Sequence, residues 1–322
     1  MVMNGKWMPF WVAILLVIVF PRLVFGIWSI SGEEKNRPTE YTETPNTGDI
    51  AMIQVLTEDG LKEMDLEEYL VGVLLLEIPG DFHAEAQKAQ AVVARTYALR
   101  TTQFKQKHDM NAICTDPGCC QGYRDPDAYL SAGGSEQRVI LARNAVAETK
   151  GHVLIYEGVL IDATYFSCSG GQTEDALAVW GVDVPYLQSV ASPGEESASH
   201  YWDTKEFTSD TFQKALGRIL LGAPEQWFGE ITYTRGGGVE TMVIGGKSYT
   251  GTNLRALLGL RSTAFTVSVS KGNIAITTKG FGHRVGMSQY GAQAMALSGN
   301  SYPEILAHYY PGTVIDKVDF IG

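Results

Sequence analysis

Two unlike stretches precede the patterned part of the chain. Trp7 to Ile30 is almost wholly apolar, interrupted by Pro9, Pro21 and Arg22, whereas Ser31 to Asp49 is polar and carries Pro, Gly, Thr and Glu. At about 1.5 Å per residue the apolar run is long enough to cross a bilayer. We read residues 1–30 as one uncleaved transmembrane helix and 31–49 as a linker. A cleaved signal peptide is the rival reading, but the run is long for one and no clear small-x-small site follows it. Lys6 favours a short cytoplasmic N-terminus with the body outside, and Arg22 can snorkel to the far interface.

The body, residues 50–322, opens with a strand at Ile50–Thr57. Asp65-Leu66-Glu67-Glu68 has the form of a capping box, and Leu66, Tyr69, Leu70, Val73 and Leu74 then form one helical face. That helix should stop near Ile78-Pro79-Gly80. An alanine-rich stretch predicts a second helix over about 83–107, and a third spans about 136–149. Residues 108–134 read as an irregular loop. Val153–Ile155 and Val159–Tyr165 read as strands, and Phe265–Ser270 with Ile274–Thr278 as a hairpin turning at Lys271-Gly272-Asn273. The pattern changes over about 200–260, which suggests an inserted second lobe. The fold class is α+β: a helical hairpin plus antiparallel strands, behind one membrane span.

Charge narrows the function. The chain carries 36 acidic against 25 basic residues, a net −11, and setting aside Lys6 and Arg22 with the apolar run makes the rest more acidic still. A nucleic-acid footprint needs a basic face, so nucleic acid is not an expected partner. G-x-S-x-G does not occur, Thr241 stands where a P-loop needs glycine before Gly246-Lys247-Ser248, and no G-x-G-x-x-G opens a βαβ unit.

The candidate chemistry begins with Glu77. It extends the apolar stripe of the first helix, four residues after Val73 and three after Leu74. A carboxylate on such a stripe is costly unless paired or neutral, and burial raises its pKa toward what a general acid needs. Two bland readings stay open: the side chain bends out to water at the helix end, or it pairs with Lys88 or Arg95. Those two cations lie seven residues apart on one stripe of the second helix. They are either a solvated face or a positive stripe that orients Glu77 and grips substrate oxygens.

The segment EYLVGVLLLEIPGDFHAEAQKAQAVVARTYAL resembles the one that defines the stage II sporulation protein D family. The resemblance extends over about residues 50 to 320. It implies that Glu77 is the catalytic acid/base and that Lys88 and Arg95 are the family's lysine and arginine. The implied reaction is lytic transglycosylation of peptidoglycan glycan strands. One carboxylic acid protonates the oxygen between N-acetylmuramic acid and N-acetylglucosamine, then takes the proton of the muramic acid O6 hydroxyl as a 1,6-anhydro ring closes. The implied setting is the mother-cell membrane facing the forespore septum, with a single-pass protein acting during engulfment. Stage II sporulation protein P, a peptide-stripping amidase, and stage II sporulation protein M are the implied partners. A non-enzymatic, glycan-binding amidase enhancer is the alternative, which intact Glu77, Lys88 and Arg95 argue against.

His108, Cys114, Cys119 and Cys120 fall within thirteen residues on one loop and offer a tetrahedral zinc set. The rival is a disulfide of Cys114 with Cys119 or Cys120, permitted outside the cytoplasm. The resemblance implies zinc, with Cys119 where the family's second histidine falls, and four protein ligands make the zinc structural. A zinc-dependent hydrolase would need an open coordination position. Two glycine-rich strings complete the set. In TYFSCSGGQTE and the following VDVPYLQSV, the resemblance implies that Thr173 and Tyr186 line the glycan groove. GFGHRVGMSQYGA matches a family string bordering that groove. There His283, Ser288 and Gln289 are read as sugar-contacting or supporting residues, with a hydrogen-bonded structural His283 as the alternative. Arg284 replaces the family's usual glycine, at little cost if its φ is negative.

Overall fold

The structure is a computed structural model, and it describes residues 52–103 and 107–318. The expected anchor at 1–30 and the linker at 31–49 lie outside the described residues. Among the described residues no helix is long and apolar enough to cross a membrane.

The long helix Ala84–Gln103 forms the centre. Alanines dominate it, so neighbours approach closely on every side, and even Gln90, Arg95 and Thr96 are fully buried. Around it pack the helices Leu66–Glu77, Glu136–Glu148, Gln289–Leu297 and Tyr302–Tyr309. Leu70, Leu74, Val92, Leu99, Val146, Ile305 and Tyr309 share this core. The first helix starts where its capping sequence places it: Asp65 accepts from the Glu68 N–H at 3.0 Å. The second half of the box does not form, because the Glu68 carboxylate turns to Arg143.

The strands make small, mostly antiparallel sheets, so the α+β reading holds. Met52–Thr57 pairs antiparallel with Gly60–Asp65 and parallel with Ala112–Cys114. His152–Tyr156 lies between Val159–Leu160 and the C-terminal Val314–Lys317. Asn273–Lys279 pairs with both Phe265–Ser270 and Trp202–Thr208. Ser270 faces Asn273, so the hairpin turns on Lys271 and Gly272, both at positive φ as such a turn requires. A second apolar cluster, including Phe212, Trp227, Met242, Leu254 and Ile274, runs from Phe207 to Ile276 and so takes in that hairpin.

The expected irregular loop at 108–134 is a correction. It contains the strand Ala112–Cys114 and the helix Pro126–Ser131, which Asp125 caps by accepting from the Ala128 N–H.

Candidate functional site

Pro79 disfavours helical geometry for the residue before it; Ile78 is extended (φ −122°, ψ 138°) and Glu77 is the last helical residue. The end of the helix therefore delivers Glu77 to a cleft of about 880 Å³. Arg138, from the Glu136–Glu148 helix, fixes that end. Its Nη2 donates to the carbonyls of Leu75 (2.6 Å) and Ile78 (2.9 Å), groups that a helix C-terminus leaves without partners.

Glu77 is half-buried. Its Oε1 accepts from the Gly122 N–H at 2.5 Å, and the Tyr165 hydroxyl also bonds to the carboxylate. Gln121 donates to the Tyr165 hydroxyl at 3.3 Å and accepts from the Tyr69 hydroxyl at 3.4 Å, which extends the network into the core. Burial holds the Glu77 pKa above the ordinary glutamate value; the bonds from Gly122 and Tyr165 oppose this without cancelling it. Position 122 must be glycine for the approach to exist. A Cβ there would stand 2.8 Å from Leu76 Cδ2 and 2.9 Å from Glu77 Oε1.

His283 and Gln289 line the same cleft. His283 is wedged between Phe166 and Trp180, with ring centroids 5.6 and 5.4 Å away, and its Nδ1 accepts from the Val285 N–H. Burial first, then the charge of Arg255, lowers its pKa to about 4, so it is neutral at physiological pH. Ser288 lies just behind as the N-cap of the Gln289–Leu297 helix, accepting from the Gly291 N–H.

Besides Ser288, four expected sugar-contacting residues are not among those lining the cleft. Lys88 pairs with Glu85 and Glu148, at 2.8 and 2.6 Å. Arg95 is fully buried; it forks onto Glu67 and donates to the carbonyls of Val146 and His152. Glu67 is in the first turn of the helix that ends at Glu77, so this pair sits about 15 Å up the axis from the cleft. Thr173 is buried and exchanges hydrogen bonds with the backbone of Val190. Tyr186 packs on Tyr156 and accepts from the Asp162 N–H. All four are held by partners within the body rather than facing the opening. Periodicity placed Lys88 and Arg95 on one stripe, but could not say to which side of the bundle that stripe turns, and Thr173 and Tyr186 rested on the resemblance.

The His/Cys group does assemble. The candidate donor atoms of His108, Cys114, Cys119 and Cys120 all lie within 4.8 Å of one another, and none of the cysteines is in a disulfide. A tetrahedral zinc with Zn–S near 2.3 Å needs S···S edges of about 3.8 Å, so a small contraction suffices and the donor set fits the metal. Cys119 and Cys120 also line the cleft, three and two residues before the glycine that touches Glu77.

Arg284 corrects a further expectation. Its φ is +69°, the left-handed region that glycine would occupy freely. The side chain is buried and fully used. It reaches Glu174 at 3.2 Å and the carbonyls of Ser169, Gln172 and Gly236 at 2.7–2.8 Å. Sequence reasoning also missed Gly122, Arg138, Tyr165, Trp180 and Arg255. Only Tyr165 had a local signal, lying in the strand before the first glycine-rich turn.

The family model described as "Stage II sporulation protein" matches residues 57–156. Stage II sporulation protein D of Bacillus amyloliquefaciens is 41% identical over 264 residues, covering 80% of this chain and 76% of that one. The protein of the same name from Bacillus subtilis is 39% identical over the same shares. An "Amidase enhancer" of Bacillus subtilis is 31% identical over 304 residues, 76% of this chain and 40% of that protein. The cleft, with its helix-end glutamate, is thus the cleft of a sporulation protein, and the chain belongs to the stage II sporulation protein D family.

Proposed function

We propose that this protein is a lytic transglycosylase that cuts peptidoglycan glycan strands between N-acetylmuramic acid and N-acetylglucosamine. One observation carries the reading: among the described residues that line the cleft, Glu77 is the only carboxylate. Hydrolytic glycosidases usually need two, one to protonate the leaving oxygen and one to activate water or attack the sugar. A single carboxylate is enough when the substrate's own O6 hydroxyl is the nucleophile. Protonated Glu77 gives its proton to the glycosidic oxygen. The carboxylate that remains is stabilised by the N–H of Gly122 and the hydroxyl of Tyr165. It then takes the O6 proton as the 1,6-anhydro ring closes, which restores the acid.

The test is to digest peptide-stripped glycan and weigh the products. Ends carrying 1,6-anhydro-N-acetylmuramic acid, one water lighter than hydrolytic ends, are expected. Glu77→Gln should keep the fold and lose at least the ~10²–10⁴-fold typical of general acid–base catalysis. Reducing muramic acid ends alone would make the protein a hydrolase.

The likeness to an amidase enhancer favours a second reading, a glycan binder that does not cut. Absence of turnover with intact binding would select it. In either case we propose that residues 1–30 anchor the body outside the cytoplasmic membrane during engulfment. Stage II sporulation proteins P and M are the proposed partners. His108, Cys114, Cys119 and Cys120 would hold a structural zinc, whose chemistry would be to cross-link the loop that presents Gly122.

A further inference from the structure

Arg255 is the anomaly in the cleft. It sits on the helix Gly251–Leu258, which belongs to the second apolar cluster, and its side chain reaches across to line the opening. The other basic side chains there are engaged. Arg138 holds backbone carbonyls, Lys107 bonds the Tyr97 hydroxyl and the Cys119 carbonyl, and His200 contacts Arg261. The Arg255 side chain makes no hydrogen bond, ion pair or aromatic stack with any described residue. Burial alone acts on it, lowering its pKa. The chain as a whole is acidic, yet no carboxylate has been placed against this guanidinium. A half-buried cation without a counter-charge costs stability, and such groups persist where a ligand supplies the missing charge. Trp180 lines the same opening, with 43% of its surface exposed. The Trp180 ring centroid is 5.4 Å from that of His283, and the charge of Arg255 reaches His283, so both lie near that histidine in the cleft.

We infer that Arg255 and Trp180 form a subsite for an acidic sugar unit, with the guanidinium pairing a substrate carboxylate and the indole stacking on the ring. The inference rests on the proposed glycan-cleaving role. It adds to that role how muramic acid, which bears a carboxylate, is distinguished from neutral N-acetylglucosamine. The carboxylate has two sources on such a strand: the lactyl group of a muramic acid without its peptide, or the acidic residues of a retained stem peptide. Arginine suits either, because its planar fork meets a carboxylate through two parallel bonds.

The experiment uses the full chain carrying Glu77→Gln, so that the probes are not consumed, and measures binding of four glycans. They are peptide-free muramic acid strands, the same strands with carboxylates methyl-esterified, strands with peptides intact, and chitin oligosaccharides. Free-acid strands should bind at least about tenfold more tightly than esterified strands or chitin, and Arg255→Gln should remove that difference. Trp180→Ala should weaken all four. Tighter binding of peptide-free strands assigns the contact to the lactyl group, and tighter binding of intact strands assigns it to the peptide. Equal affinity for free-acid and esterified strands overturns the inference, and this comparison needs no Arg255 variant to fold. Failure of every glycan to bind would instead reject the glycan-cleaving role and the subsite with it.

Discussion

At the scale of single residues, Glu77 carries a load that its amide would not. Burial raises its pKa in the folded state, so the folded protein holds that proton more tightly than the unfolded chain. Its contribution to stability is therefore full below the ordinary glutamate pKa and is lost as pH rises through the raised one. Glu77→Gln should melt at a higher temperature than wild type at pH 8 and lose the advantage at pH 4; equal melting at both values would show no such load. The same direction governs rate, since cleavage that needs the protonated acid should fall as pH rises through that raised pKa. Arg95 predicts the opposite pattern. Removing it strands Glu67 and two backbone carbonyls in the interior, so Arg95→Ala should cost about 3–5 kcal/mol in urea unfolding. A stable Arg95→Ala protein with lost turnover would return Arg95 to the substrate. Glu77 was legible because a charge on an apolar stripe is a local contradiction. The turn of Arg95 toward Glu67 depends on how two helices pack, which no single stripe records.

At the scale of elements, the segment from Lys107 to Gly122 joins the His/Cys group to the acid. Its strand Ala112–Cys114 docks parallel to Met52–Thr57, Cys119 and Cys120 reach the cleft, and Gly122 ends beside Glu77. About one zinc per chain is expected by elemental analysis. A chelator, or Cys114→Ser, should lower both the melting temperature and the cleavage rate, because a loosened loop no longer holds the Gly122 N–H in place. Retained metal-free protein with unchanged melting would separate the loop from any metal. Gly122→Ala should depress rate with little loss of fold, since its methyl group would push on Glu77 and on the flexible end of Leu76. Most of this segment was opaque in sequence. A three-residue strand has no measurable period, and its partner lies about sixty residues away. The helix Pro126–Ser131 was better marked than the loop reading allowed: Asp125-Pro126 is an N-cap followed by proline at the first helical position.

At the scale of the whole molecule, the helical core followed from periodicity and capping, whereas the assembly of the later strands did not. An ion pair between residues 110 positions apart joins the two glycine-rich loops, and both of its partners also bond the turn at Thr234–Gly238, next to the second apolar cluster. Arg284 reaches Glu174, and the same Glu174 oxygen accepts from the Thr234 hydroxyl at 2.8 Å and the Gly238 N–H at 2.9 Å. Both partners are almost wholly buried. Two opposed effects decide what Arg284→Gly should do. Glycine relieves the left-handed backbone, worth about 1–2 kcal/mol. It also strips a buried carboxylate and three carbonyls of their donor, and breaking a buried pair costs about 3–5 kcal/mol. The second effect is larger, so urea unfolding should show a net loss of stability. Glu174→Gln alone should also destabilise, because it leaves the guanidinium buried without its counter-charge. Combined with Arg284→Gly it removes both charges, so the double variant should lose less than the two single losses added together. That shortfall is the coupling of the pair. Strict additivity would show that the two residues act independently.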